Sequence, residues 1–188
     1  MPFDFTLAMR RLMEDVTANC RALGHIEMSR VAVGFGQTRT ARLSGIYAQV
    51  FPLRFPGGAR RMRRGQAVFE MPVLTLDGRE ALYLVKFMLP RFLQVSFPEK
   101  IGTVFHEMYH ISPRFDGTLR TFPGRRPYHT GSRRRYDRFV GSLAQEYLAS
   151  TSRHDLHQFL KKNFEQLGAE HGGVVGIRYR NPNPYRIA

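Results

Sequence analysis

The chain has 188 residues and a formal net charge of +14, with 29 Lys and Arg against 15 Asp and Glu. Its length and its hydrophobic content of 43% predict one folded domain over residues 1–188 and exclude a disordered chain. No run of about 18 apolar residues occurs, which argues against a membrane span. Cys20 is the only cysteine, so an internal disulfide is excluded and we expect a cytoplasmic protein.

The hydrophobic pattern predicts helices near both ends of the chain and a small sheet between them. The first helix carries its apolar residues between Phe5 and Cys20 and is expected to end near Gly24. Strands are predicted at residues 31–35, 44–55, 67–76, 81–89 and 174–179, and later helices at residues 136–150 and 153–167. Residues 181–188 contain two prolines and are expected to be a loose tail. This order of elements predicts an α+β fold.

A further helix is predicted at residues 97–111, between the sheet and the later helices. Ser96 and Glu99 form a capping-box pattern with Pro98 in the first turn, and Pro113 follows the last turn. At about 100° per residue, one side of this helix is apolar. That side carries Ile101, Val104, Phe105, Met108 and Ile111. The opposite side is expected to face a cleft.

The cleft side of this helix carries an HExxH motif, His106-Glu107-Met108-Tyr109-His110. Two histidines four residues apart lie on one helical face and can share a zinc ion. Glu107 is placed to remove a proton from a zinc-activated water. The motif therefore predicts one catalytic Zn²⁺ with His106 and His110 as ligands and Glu107 as the general base.

A catalytic zinc site needs a third protein ligand. His129 is the only histidine in the Gly- and Pro-rich stretch of residues 112–135, and it is the favoured candidate. Asp116 has the spacing of the last ligand in HExxHxxGxxH enzymes, but Pro113 stands where those enzymes need a glycine. Asp137 and Glu146 remain alternatives if a later helix packs over the site. Tyr128 and Tyr136 are candidates for stabilising the transition state.

The basic charge comes from 25 arginines and only four lysines. Residues 39–64 hold seven arginines and no acidic residue, and residues 114–138 hold eight arginines against two aspartates. Arginine-rich segments of this kind favour contact with DNA or another polyanion. The candidate nucleic-acid-binding residues are Arg60, Arg61, Arg63, Arg64, Arg133, Arg134 and Arg135.

The chain resembles a family of phage metallopeptidases over about residues 80–148. The resemblance rests on Tyr83-Leu-Val-Lys-Phe, Glu99-Lys100, the HExxH motif with Ile111, Asp116-Gly117, Leu119-Arg120, His129 and Tyr136-Asp137. It implies a single zincin-like domain, in which the HExxH helix packs on a small twisted sheet and further helices follow. A weaker similarity is to SprT-like proteases, which act on proteins attached to DNA. Here the histidine segment is His129-Thr130-Gly131, and no Cys-rich zinc ribbon follows.

These observations predict a zinc-dependent metallopeptidase that hydrolyses a protein or peptide substrate, with nucleic acid as a candidate further partner. An extended substrate peptide can add a strand to an exposed edge of the sheet. The alternative is a basic nucleic-acid-binding module whose HExxH site is structural or idle. The number of protein ligands on the metal distinguishes the two functions, since a catalytic zinc keeps one position open.

Overall fold

The computed structural model describes residues 1–38, 43–122 and 133–188, without the side chains of Arg133 and Arg134, and its fold is mixed α+β as predicted. The helices are α1 (Phe5–Asn19), α2 (Arg91–Gln94), α3 (Phe97–Tyr109), α4 (Arg133–Ser150) and α5 (Phe164–His171). The strands are β1 (Phe3–Asp4), β2 (Val31–Gln37), β3 (Ala48–Pro52), β4 (Arg61–Arg64), β5 (Ala67–Glu70), β6 (Thr75–Leu76), β7 (Arg79–Glu80), β8 (Tyr83–Leu89), β9 (Val174–Val175) and β10 (Tyr185–Arg186). None of the helices in these ranges is long and apolar enough for a membrane span.

The central sheet has three strands in the order β2-β8-β3. The middle strand β8 runs parallel to β2 and antiparallel to β3, and Val85 pairs with both Val33 and Val50. Because β8 is buried along nearly its whole length, its sequence is a continuous apolar run interrupted only by Lys86. Within the described chain, β3 is paired on one side only, so its other edge faces helix α3.

The hydrophobic core lies between this sheet and helices α1, α3 and α4. Phe5 at the start of α1 makes edge-on contacts with the rings of Phe87 and Phe92. On α3, the apolar stripe predicted from the sequence is buried, with Val104, Phe105 and Met108 fully inaccessible to solvent. The stripe therefore fixes the rotation of α3 and leaves its histidines on the other side.

The predicted helix at residues 153–167 is wrong. The chain instead forms a 3₁₀ helix at His154–Lys161, breaks at Lys162 in an extended conformation, and begins again as α5. Asn163 starts α5 with a capping box to Gln166. The buried ammonium of Lys100 on α3 donates to the carbonyl oxygens of Leu160 and Lys162, at 2.9 and 2.7 Å. These two carbonyls are thereby satisfied without a continuous helix.

The segment 181–188 was expected to be a loose tail, and this expectation is also wrong. Strand β10 pairs antiparallel with β5, and the hydroxyl of Tyr185 donates to Glu70 at 3.1 Å. Asn181 accepts a 2.7 Å hydrogen bond from the ammonium of Lys86. Lys86 lies buried on β8, so a polar partner from the C-terminal segment compensates for its desolvation.

Candidate metal centre and active-site cleft

Hydrogen bonds stabilise both ends of helix α3. Glu99 accepts from the backbone N–H of Ser96 at 2.9 Å, and the Ser96 hydroxyl accepts from the N–H of Glu99 at 3.4 Å, which confirms the predicted capping box. At the other end, Arg120 donates from its backbone to His110 O at 2.7 Å and from its Nε to Tyr109 O at 2.8 Å. These bonds satisfy two carbonyl groups at the C-terminal end of the helix. The helix ends at Tyr109, two residues earlier than predicted.

His106 and His110 bring their ring nitrogens together on the side of α3 that lies opposite its apolar stripe. Their Nε2 atoms lie 3.1 Å apart, and the two rings are nearly perpendicular, at 77°. Two nitrogen ligands at about 2.0–2.1 Å from one tetrahedral zinc ion lie about 3.3–3.4 Å apart. The observed separation fits a shared zinc ion within a few tenths of an ångström. The donor set, two imidazoles, also suits zinc.

Glu107 lies buried between α3 and the edge strand β3. Its side chain accepts a 2.9 Å hydrogen bond from the backbone N–H of Val50, and only 9% of the residue is exposed. Burial raises the pKa of Glu107 to about 7, and the Val50 hydrogen bond opposes that shift. A carboxylate with a pKa near neutrality is well matched to accept a proton at physiological pH.

Helix α4 contributes two side chains that pack against the histidines. The ring of Tyr136 stacks on His110, with centroids 5.4 Å apart, and meets His106 edge-on at 5.0 Å. Burial and the nearby Glu107 raise the pKa of the Tyr136 hydroxyl, which donates to His106 O at 3.4 Å. The carboxylate of Asp137 lies 3.6 Å from Nδ1 of His106, on the opposite side of the ring from the contact with His110. This is the position of a residue that orients a metal-ligating histidine.

These residues border a cleft of about 550 Å³ between α3, α4 and the start of β3. His106, Glu107 and Asp137 line it from the helices, and Tyr47 and Ala48 line it from the strand. Of the three motif residues that the sequence places toward a cleft, His106 and Glu107 line it, whereas His110 is buried and is not one of its lining residues. Tyr47, Ala48 and Val50 could not be identified from the sequence, because backbone groups and small apolar side chains carry no signal of a site.

The third zinc ligand stays a prediction. Within residues 1–38, 43–122 and 133–188, no three His, Cys, Asp or Glu side chains are grouped as a metal site. The favoured ligand His129 and the candidate stabiliser Tyr128 both lie outside the described residues. Tyr136, the other candidate stabiliser, is directed toward a backbone carbonyl, and its catalytic role also stays a prediction.

The alternative carboxylate ligands differ in position. Asp116 lines a second cleft, where its Oδ1 accepts from the hydroxyl and the backbone N–H of Thr118 at 2.6 and 3.1 Å. Burial by itself would raise the pKa of Asp116, but these bonds and one from the Ser112 side chain outweigh it, and the pKa is lowered. Glu146 is exposed on α4 and lines a third cleft beside Cys20. Asp137, by contrast, lies against His106.

The candidate nucleic-acid-binding arginines that the structure describes differ in their ion pairs, and the side chains of Arg133 and Arg134 lie outside the described residues. In the β4–β5 hairpin, Arg61 pairs with Glu70 at 3.0 Å and Arg60 lies 3.8 Å from Glu80. Arg63 and Arg64 are exposed on the same strand, and Arg135 is exposed on α4. Residues 61–64 form strand β4 of this hairpin, and the ion pair of Arg61 compensates part of their charge.

Comparisons with protein-family models, with curated proteins and with solved structures found no match to this chain. The function is therefore inferred from the residues of the cleft and from their geometry. The paired Nε2 atoms, the buried carboxylate and the edge strand beside them are the features on which that inference depends.

Proposed function

We propose that this chain is a zinc-dependent metallopeptidase with a zincin-like domain, related to the phage metallopeptidases. Its single catalytic Zn²⁺ would be held by His106, His110 and His129. The observation that carries the proposal is the 3.1 Å separation of the two Nε2 atoms beside the buried carboxylate of Glu107. A cytoplasmic location remains part of the same proposal.

The chemistry is divided between the metal and the side chains around it. When bound, zinc supplies Lewis-acid activation of a water and of the scissile carbonyl. Glu107 accepts the proton at its carboxylate and returns it to the leaving amine. Asp137 holds the ring of His106 through Nδ1, and Tyr136 fixes the orientation of His110 by stacking.

The edge of β3 supports a peptide as the substrate. Pairing in an antiparallel ladder alternates from one side of a strand to the other. Since the N–H of Val50 points to Glu107, the N–H and C=O of Ala48 and the C=O of Val50 also face away from β8. These groups are available to an extended peptide that adds a strand beside the proposed catalytic carboxylate.

The second candidate function is a basic nucleic-acid-binding module with a structural or idle HExxH site. The exposed Arg63 and Arg64 of β4 and the net charge of +14 favour it. This function requires either that no metal is bound or that protein ligands fill all four coordination positions of the metal.

Zinc content and peptide hydrolysis, measured together, test the proposal. Wild-type protein and His106→Ala are compared by elemental analysis, with the exposed His154→Ala as a matched histidine control. We expect about one zinc per chain in the wild type and in the control, and a loss of zinc in His106→Ala. Hydrolysis of a quenched fluorescent peptide should stop after chelation and return with added zinc. Equal zinc in His106→Ala and wild type would contradict the proposal.

A further inference from the structure

A second cleft of about 540 Å³ lies at the far end of β3 from the first. One wall is formed by residues 112–122, which follow α3, and the other by residues 52–57. The hydroxyl of Tyr83 holds the first wall, since it accepts from Gly117 N at 3.0 Å and donates to Thr118 O at 2.8 Å. The cleft is therefore shaped by contacts with the buried central strand β8.

The charged side chains lining this cleft are mostly positive. Among the described residues that line it, three are arginines, Arg54, Arg114 and Arg120, and one is a carboxylate, Asp116. Asp116 is occupied by its hydrogen bonds with Thr118. Since Arg54 is also paired with Glu80, an anionic group that enters this cleft would meet mainly the guanidinium charges of Arg114 and Arg120.

Two of these arginines are held in place by other contacts. The Arg120 guanidinium lies 4.0 Å from the centre of the Tyr109 ring, and its Nε donates to the carbonyl at the end of α3. Arg54 pairs with Glu80 at 2.8 Å, and only 9% of its side chain is exposed. Arg114, the third arginine that lines this cleft, is exposed. Because Arg120 is bonded to the backbone of His110, the position of the basic cleft relative to the histidines is fixed.

Strand β3 connects the two clefts. Ala48 lines the first cleft, Val50 contacts Glu107, and Pro52 lines the second cleft. At a rise of about 3.3 Å per residue, Val50 is about 7 Å from Pro52, the last residue of β3, and Arg54 follows two residues later. An extended peptide paired with β3 would place a side chain in the basic cleft within two to four residues of the bond beside Glu107.

We propose that the basic cleft formed by Arg54, Arg114 and Arg120 binds an acidic side chain of the substrate peptide. The site thereby selects extended segments with Asp or Glu two to four residues from the cleaved bond. This inference rests on the proposed peptidase function and specifies its substrate class.

The test uses quenched fluorescent peptides in which Glu replaces Gln at one position at a time. The wild type should prefer Glu at one position by at least about tenfold in kcat/KM, because a carboxylate then pairs with arginine. Arg114→Glu should abolish or reverse this preference. Arg114 is chosen because it is exposed, so its replacement leaves the core and the end of α3 intact. Arg11→Glu, an exposed arginine on α1, makes the same charge change outside the cleft and should keep the preference.

Binding is measured in parallel by fluorescence anisotropy in a Glu107→Gln background, which separates recognition from turnover. Cleavage without any difference between Glu and Gln would overturn the inference and leave the peptidase function intact. Equal loss of the preference in Arg11→Glu would also overturn the inference, since the preference would then reflect overall charge. If a DNA duplex binds through Arg114 while Glu and Gln peptides bind equally, the cleft is a phosphate site instead. If no peptide is cut but the Glu peptide binds more tightly through Arg114, the peptidase function fails and the acidic-peptide site stands.

Discussion

The backbone N–H of Val50 donates a 2.9 Å hydrogen bond to the carboxylate of Glu107 and thereby links edge strand β3 to helix α3. The strand that would bind the substrate is thus in direct contact with the proposed catalytic base. A peptide carbonyl that pairs with this N–H would compete with Glu107 and release its carboxylate toward the bound substrate. In the proposed mechanism, substrate binding and activation of the base would therefore be coupled at one backbone donor.

Replacing Glu107 with Gln should separate metal binding from catalysis. We expect peptide hydrolysis to fall by about 10²–10⁴-fold, because the general base is lost. Zinc content should stay at the wild-type level, because Glu107 is not a proposed ligand. Glu146→Gln, an exposed acid on α4, serves as the control and should retain activity. Loss of zinc from Glu107→Gln would show that the roles are assigned incorrectly, and wild-type turnover would reject the mechanism.

The metal-free protein should lose stability as the pH rises, because of the same carboxyl group. Its folded-state pKa of about 7 lies above the ordinary glutamate pKa of 4.5, so the folded chain binds more protons than the unfolded chain between these values. Stability therefore falls from about pH 4.5 to about pH 7 and stays lower above it. The difference between the two pKa values corresponds to a loss of about 3 kcal/mol in the free energy of unfolding.

Glu107→Gln removes this pH-dependent loss and keeps an acceptor for the N–H of Val50. In urea unfolding with a chelator present, the variant should be more stable than the wild type at about pH 8 and gain much less at about pH 5. If the variant and the wild type differ in free energy of unfolding by the same amount at both pH values, the ionised Glu107 does not destabilise the folded chain.

His129→Ala should lower zinc affinity far more than Asp116→Ala. The carboxylate of Asp116 is held by Thr118 in the second cleft, whereas His129 is the predicted third ligand. Competition titrations with a chelator should show a loss for His129→Ala beyond the roughly 10–100-fold that is typical of residues that only orient a ligand. Asp137→Asn should fall within that smaller range, because its carboxylate faces Nδ1 of His106. If Asp116→Ala is the more damaging change, a carboxylate is the third ligand.

DNA binding should be weak and strongly dependent on salt. For a duplex, the slope of log affinity against log salt should be near −0.9 for each phosphate neutralised, by the counterion-release relation. The double substitution Arg63→Glu and Arg64→Glu removes two exposed arginines of β4 and should reduce that slope. Arg11→Glu, exposed on α1, provides a control for the change in net charge. No binding at low salt would remove nucleic acid from the partners of this chain.

Local patterns in the sequence are sufficient to predict the helix that carries the site. The capping box of Ser96 and Glu99 and the apolar stripe of α3 involve residues within a few turns of one another, and both are confirmed. The same periodicity predicts that His106 and His110 share a face, since a helix brings residues four apart together wherever it packs. The α+β class follows from the order of such patterns along the chain.

The remaining features depend on contacts between distant parts of the chain. Val50 and Glu107 are 57 residues apart, and their bond requires the pairing of β3 with β8 and the packing of α3 beside it. The 3₁₀ helix at His154–Lys161 depends on the ammonium of Lys100, 60 residues earlier than Leu160. A backbone N–H donor is the same for every residue except proline, so it has no signature in the sequence. Its partner is decided by sheet register and helix packing, which short-range periodicity does not encode.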